Sequence, residues 1–397
     1  MTNGTNAWLT RDVWKIAGSA FFADLGYQAV LTAFPLLLVL TLHAPVWVYG
    51  LAMALAYGPG AAIAWWGGRV GDRHGHRKIA IWGNSFIPLL SLSGLVAAPA
   101  AAVGLFAAGW WARNFRTPSR RAMLTERVAD RYRNPAFGFL HFLDVGGGML
   151  AGFYVLVGVA RHWPYPWLFG LTILPLVVST LLLVAVPPRP EPAAVPAAPA
   201  DAEAPRPDHR PLYRGVLVAA ALYGFSSYNL GFPILTVAQG VHSPALGVLS
   251  YVLFLGVSAV TGLVFGRASQ GSVPQLATLG YLGAGVGSLG LAAAYAFSWP
   301  FWGFYIPIVV LGFALGVIET LEPVLIARFV PAVQAGGGLG ALTGARSVGL
   351  FLANVVMGLL YHLTPVDAYI YATAVAGLAA VVLLVSVRAA ARRAPPA

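Results

Sequence analysis

Long apolar runs alternate with short polar breaks along most of the chain, and each run is about long enough to cross a hydrocarbon core of roughly 30 Å. Twelve such runs can be counted. The first six cover residues 13–42, 46–66, 79–98, 100–122, 135–160 and 166–186; the second six cover 213–238, 245–266, 273–298, 300–328, 336–362 and 366–388. The pattern predicts an all-α integral membrane protein of twelve transmembrane helices. Connections after odd-numbered runs, such as His43–Pro45, Ser298–Pro300 and Leu363–Pro365, are very short and carry no cation. Connections after even-numbered runs are longer and hold nearly all the Arg and Lys. By the positive-inside rule the longer connections and both termini are cytoplasmic, and only Arg161 falls outside.

One connection differs from the rest. Pro187–Pro211 reads PPRPEPAAVPAAPADAEAPRPDHRP, a Pro- and Ala-rich stretch of mixed charge that cannot form a packed core. It divides the chain into a first six-helix bundle (1–186), a cytoplasmic linker (187–212) and a second six-helix bundle (213–397). The halves are weak repeats: a shift of 198 residues places Gly266 and Arg267 under Gly68 and Arg69, with Gln270 under Asp72.

Composition sharpens this picture. The chain has 397 residues, of which 58% are hydrophobic and only 9% charged, which excludes an ordinary soluble domain. Its 24 Lys and Arg outnumber its 13 Asp and Glu. They are scattered over loops that flank the membrane, so the basic excess does not predict nucleic-acid binding. There is no cysteine, hence no disulfide and no thiolate metal site. Met1–Asp12 lacks the apolar core of a cleavable signal, so the first span is expected to be retained. No phosphate-binding Gly-Lys-Ser/Thr loop occurs and no soluble segment is large enough for an enzyme. The expectation is a protein without cofactor or metal, driven by an ion or substrate gradient.

The most informative stretch is Gly67–Lys78, GGRVGDRHGHRK, between runs two and three. Glycines permit a tight reversal, four cations (Arg69, Arg73, Arg77, Lys78) mark it as cytoplasmic, and Asp72 stands at the membrane edge. The spacing Gly68-x-Val70-x-Asp72-Arg73-x-Gly75-His76-Arg77 resembles the loop between helices 2 and 3 of the major facilitator superfamily, G-x-L-x-D-R-x-G-R-R. Val70 and His76 are the departures. The resemblance implies two six-helix bundles, alternating access, a small-molecule substrate, a lipid environment in the cytoplasmic membrane and a monomer.

Charged residues inside the runs each need a physical reason. Asp24 lies about a dozen residues into run one, with no cation three or four residues away and Gln28 one turn on. Keeping a carboxylate charged there is costly, which makes Asp24 the candidate proton-coupling or substrate-cation site; a fixed pair with Arg113 is the alternative. Arg116 and Asp144 each lie fourteen residues from a reversal near Asp130, and Glu322 and Arg346 each lie twelve from one near Gln334. Equal distances along antiparallel helices predict pairs at equal depth. These are either latches that break and remake or static pairs that make charge tolerable. Glu319 shares a helix face with Glu322, so one of the two is free to point into a cavity. Arg113-Asn-Phe-Arg116-Thr-Pro118-Ser-Arg120 resembles the arginine-bearing fourth span of proton-linked members of the superfamily. Gly146-Gly147-Gly148-Met-Leu-Ala-Gly152 resembles the glycine-rich fifth span of the drug/proton antiporters, without their Gly-Pro step. That likeness implies proton-coupled export of a small organic solute or drug; symport-driven uptake, uncoupled facilitation and a non-transporting receptor remain open at this level.

Overall fold

In the computed structural model, residues 8–129, 132–188, 210–268, 272–329 and 335–391 are described. Among them the chain is helical, with no strand. We number twelve helical stretches. The first six are α1 (Arg11–Thr41), α2 (Val46–His74), α3 (His76–Phe86, continued by Leu89–Leu92), α4 (Pro99–Arg127), α5 (Arg133–Ala160) and α6 (Tyr165–Val184). The second six are α7 (Leu212–Gly240), α8 (Pro244–Ala268), α9 (Val273–Ala296), α10 (Tyr305–Phe329), α11 (Ala335–Leu363) and α12 (Pro365–Ala391). Ten helices among the described residues are long and apolar enough to cross a membrane. The other two stretches are α3, interrupted at Pro88, and α4, which carries five arginines. The twelve runs of the sequence thus appear as helices, with four departures. The third is interrupted at Pro88, the seventh breaks between Ser226 and Gly231, and α2 and α4 extend beyond runs two and four to His74 and Arg127. Most of the linker, residues 189–209, lies outside the described residues.

Two compact units are formed. One contains Met1–Ala44 and Leu55–Val195, the other Pro45–Ala54 and Pro196–Ala397. Within the first, α1 packs on α5 and α6, α4 packs on the second part of α2 and on α3, and α3 touches α6. Within the second, α7 packs on α11 and α12, α10 packs on α8 and α9, and α9 touches α12. The second unit therefore repeats the helix pairing of the first, a repeat the sequence shows only faintly. The segment Pro45–Ala54 belongs to the second unit because Gly50 lies against the backbone of Asn354 and Gly358, an approach that no larger residue would permit.

Four of the short connections share one device. His43, His162, His242 and Ser298 have positive φ (53°, 57°, 55° and 48°), directly after α1, α5, α7 and α9. The following amide reaches back to a carbonyl five or six residues earlier: Ala44 to Leu38 (3.0 Å), Trp163 to Gly158 (2.9 Å), Ser243 to Ala238 (3.0 Å) and Trp299 to Ala294 (2.9 Å). Each residue after that is proline, which cannot continue the helix. The result is a left-handed cap that ends the helix and starts its antiparallel neighbour within three residues, or, after Ser298, a short 3-10 turn at Phe301–Phe304 that leads into α10.

Because lipid is as apolar as a leucine side chain, helix contact here depends on close packing more than on burial from water. On α1 the buried face is rich in alanine (Ala17, Ala20, Ala23, Ala29, Ala33). Opposite it, a Cβ on Gly147 would run into the backbone of Phe21, with Leu25 N at 3.1 Å, whereas at Gly146 and Gly148 the nearest atoms are 3.9 and 3.7 Å away. Only the middle glycine of the triplet is required by packing. Gly147→Ala is expected to lower stability by about 1–3 kcal/mol, since backbone cannot move aside as a side chain can. Gly146→Ala and Gly148→Ala should be near neutral. Thermal unfolding of the three purified variants checks this; equal melting temperatures would refute it.

Candidate functional site

The charged residues of the first unit gather where α1, α4 and α5 meet. Asp24 is only 5% exposed. One turn on, the Tyr27 hydroxyl donates to Asp24 Oδ1, and Arg113 Nη2 donates to the same hydroxyl oxygen at 3.3 Å. The Arg113 guanidinium also lies over the rings of Tyr27 and Trp110, at 5.1 and 5.0 Å, and Nη1 donates to Asn114 Oδ1 at 3.1 Å. Asp24 and Arg113 are therefore joined through a neutral phenol. No ion pair within 4 Å links them among the described residues, and Asp24 Oδ2 has no hydrogen-bond partner. Gln28 is half-buried and faces Gly148 on α5.

Asp144 pairs with Arg120, at 3.2 Å from Nη2 to Oδ1 and 3.5 Å to Oδ2. Counting from the reversal pairs Asp144 with Arg116; the structure pairs it one turn further along α4. The turn does fall near residue 130, between the end of α4 and the start of α5. The two helices barely touch, however, because α5 packs chiefly on α1. Equal depth does not bring equal rotation, and the long Arg120 side chain spans the gap. The Arg116 Cβ instead packs on α3, 2.7 Å from where a Cβ on Gly83 would lie. Arg116 is fully buried, and none of its guanidinium nitrogens has a hydrogen-bond partner.

The loop after α2 is built around Gly75, whose φ of 91° is left-handed space that favours glycine. Arg77 caps the end of α6, donating from Nε to Val186 O and from Nη2 to Val184 O, both at 2.6 Å. Asp72 is largely exposed and lies 3.4 Å from His76 Nε2, which is also 3.8 Å from Glu126 on α4. Arg73, in the last turn of α2, is exposed, and Gly68 has ordinary contact with Pro118. The glycines seated hardest on α4 are Gly67, against the backbone of Phe115, and Gly71, against Ser119 Oγ.

In the second unit, Arg346 of α11 reaches two carboxylates of α10: Glu319 Oε1 at 2.9 Å and Glu322 Oε2 at 3.1 Å. Glu322 is fully buried and also accepts from the Tyr281 hydroxyl at 2.7 Å. Tyr281 stacks on Tyr223, and Arg346 lies 5.6 Å above the Tyr223 ring. Glu319 is half-exposed and, with Glu322, Arg346, Ser227 and Pro323, lines a cavity of about 300 Å³. The sequence spacing identifies Glu322 and Arg346 as neighbours in depth; that Arg346 holds both glutamates at once is visible only in three dimensions. Tyr27, Arg120, Tyr281 and Glu126 were not singled out from the sequence. Tyr27 carries a signal in retrospect, since a tyrosine three residues after an intramembrane acid can donate to it along one helix face.

No curated protein sequence matches the chain. Among solved structures it resembles the POT family transporter PepTSo (12% identity, TM-score 0.75, 97% of this chain and 99% of that one). It is similarly close to a D-xylose–proton symporter (14%, 0.75, 94% and 96%) and to the nucleoside transporter NupG (13%, 0.68, 95% and 99%). At such identities the likeness shows the fold. The sequence model of the Major Facilitator Superfamily matches residues 16–270, well over half of the chain, and together with the helical architecture this settles what kind of molecule it is. The chain belongs to the major facilitator superfamily and is a membrane transporter, not an enzyme.

Proposed function

We propose that this transporter is proton-coupled and exports a small organic solute across the cytoplasmic membrane. It works by alternating access as a monomer with cytoplasmic termini, and residues 1–186 and 213–397 are its moving bundles. The observation that carries the proton reading is Asp24. It is buried and hydrogen-bonded through one oxygen to a neutral hydroxyl, and it has no cation within ion-pair reach among the described residues. A carboxyl so placed takes up a proton without breaking an ion pair, and Arg113 follows the change through Tyr27. Glu319, half-exposed at its cavity, is the second carboxyl, but it is already paired with Arg346 at 2.9 Å and takes up a proton only by giving up that pair. Export as the direction rests on the likeness of Arg113–Gly152 to the fourth and fifth spans of proton-linked efflux members.

In this reading Asp144 and Glu322 belong to latches that remake as the protein changes state, with Arg120 and Arg346 as their partners. Reversing one charge should cost about 3–5 kcal/mol, because it leaves a buried charge uncompensated. The double exchanges Arg120→Asp with Asp144→Arg, and Glu322→Arg with Arg346→Glu, should restore part of the folded yield or flux. Failure of both exchanges to rescue would remove the latches. At the loop, Asp72, with Arg73 or Arg77 in support, is proposed to bias the conformational equilibrium. Asp72→Ala should slow transport while leaving substrate binding intact, and unchanged transport kinetics would count against it.

The decisive experiment is Asp24→Asn in proteoliposomes. Flux driven by a pH gradient should fall to background, while exchange of solute without a gradient should survive. Intact gradient-driven flux in this variant would exclude Asp24 from coupling, and the sign of the wild-type response to an imposed gradient reads the direction of transport.

A further inference from the structure

The buried arginines of the first unit hold more positive charge than that unit's acids answer. At about 100° per residue, Arg113, Arg116 and Arg120 fall within an arc of about 60° on one side of α4. Two carboxylates, Asp24 and Asp144, stand near them, and neither pairs with Arg116. Other arginines of this chain are tied down. Arg77 holds two carbonyls, Arg127 holds Asp12 and the Pro187 carbonyl, Arg120 holds Asp144, and Arg346 holds two glutamates. Arg116 has the largest fully buried side chain among the described residues, and its Nε, Nη1 and Nη2 are all without partners. Arg113 Nε and Arg120 Nε and Nη1 are also unpartnered.

A guanidinium withdrawn from water without partners costs several kcal/mol, an expense a purely structural side chain would have no reason to carry. Its donors form a planar fork that matches a carboxylate or phosphate in two parallel hydrogen bonds. Gln28, Arg113 and Asp144 beside this cluster are half-buried. Tyr27 and Trp110 place aromatic faces beside it. A cationic solute would meet only repulsion from the unanswered charge.

We infer that Arg116, with Arg113 and Arg120 beside it, binds the negative group of the solute, so that the transported substrate is a small organic anion. The inference rests on the transporter reading above, but it is tested through binding alone.

The experiment is thermal unfolding of the purified full-length protein titrated with four matched aromatic probes: benzoate, phenyl phosphate, benzamide and benzylamine. At least one of the two anions should raise the melting temperature saturably, and whichever acts separates carboxylate from phosphate recognition. Benzamide and benzylamine, of similar shape without negative charge, should act only at concentrations about tenfold higher or more. Arg116→Gln should raise the half-saturating anion concentration about tenfold or more, the loss of a charge-assisted bidentate contact. Arg121→Gln, an exposed change on the same helix, should not. Should Arg116→Gln fail to fold, Arg116→Lys keeps the charge without the fork and should still weaken anion binding about threefold or more. An absent anion response in the wild type, or one unchanged in the folded Arg116 variant, overturns the inference. Gradient-driven flux that persists without anion binding would overturn the substrate class and leave transport standing. Anion binding without any flux would do the reverse.

Discussion

A charge taken out of water must be answered by another charge or by hydrogen bonds, and the interior of both units is arranged around that demand. The two units meet it with the same three kinds of side chain. In the first, Asp24 accepts from Tyr27, and the cation Arg113 stands on the far side of the phenol. In the second, Glu322 accepts from Tyr281, and the cation Arg346 touches the carboxylate itself. The difference has a chemical consequence. Protonating Glu322 forfeits a direct buried ion pair, whereas protonating Asp24 forfeits only a hydrogen bond from a neutral group. The same ingredients thus give one carboxyl suited to staying charged and one suited to exchanging its proton.

Packing supports these sites through the absence of side chains. Gly147 lets α5 lie against the α1 backbone on the helix that carries Asp24, and Gly83 leaves space beside Arg116 on α4. Between helices, the left-handed caps at His43, His162, His242 and Ser298 keep four connections short. Short connections hold neighbouring helices antiparallel, and across the other turns, α4 to α5 and α10 to α11, charges at similar distances from the turn arrive at comparable depth. Depth is then set by sequence spacing, and rotation by which neighbour the helix packs on.

This division explains what could be read from the chain. Helix positions follow from apolar length, and the family follows from the Gly68–Arg77 pattern, because both are local in sequence. Glu322 and Arg346 could be matched by counting. Counting misled for Asp144, since α5 turns its packing face to α1 and leaves Arg120, not Arg116, within reach. The break in α7 falls at a short Ser-Ser-Tyr-Asn step with apolar residues on both sides, so the hydropathy pattern does not show it. In the structure, Asn229 uses its side chain to accept from the Gly231 amide, and its own amide donates to Asn354 on α11. That partner lies 125 residues away, and no local pattern announces it.

The loop pattern and the arginines of α4 read as separate features in the sequence, but they are one mechanical assembly. Gly67 rests on the backbone of Phe115, Gly71 rests on Ser119, and Arg116 projects from the turn of α4 between them. Four residues beyond Gly71, Gly75 reverses the chain so that His76 returns toward Asp72 and Glu126, while Arg77 fastens α3 to the last carbonyls of α6. The Gly67 contact is with backbone, where there is no flexible side chain to absorb a displacement, and Gly71 adds a contact with the Ser119 hydroxyl. Any shift of the loop along the membrane edge must therefore move the turn of α4 that carries Arg116, and any force on Arg116 must reach the loop. The glycines that make this fit, Gly67 and Gly71, are not the pattern's own Gly68 and Gly75: by lacking Cβ atoms, they seat the end of α2 against the turn of α4 that carries the most deeply buried charge in the unit.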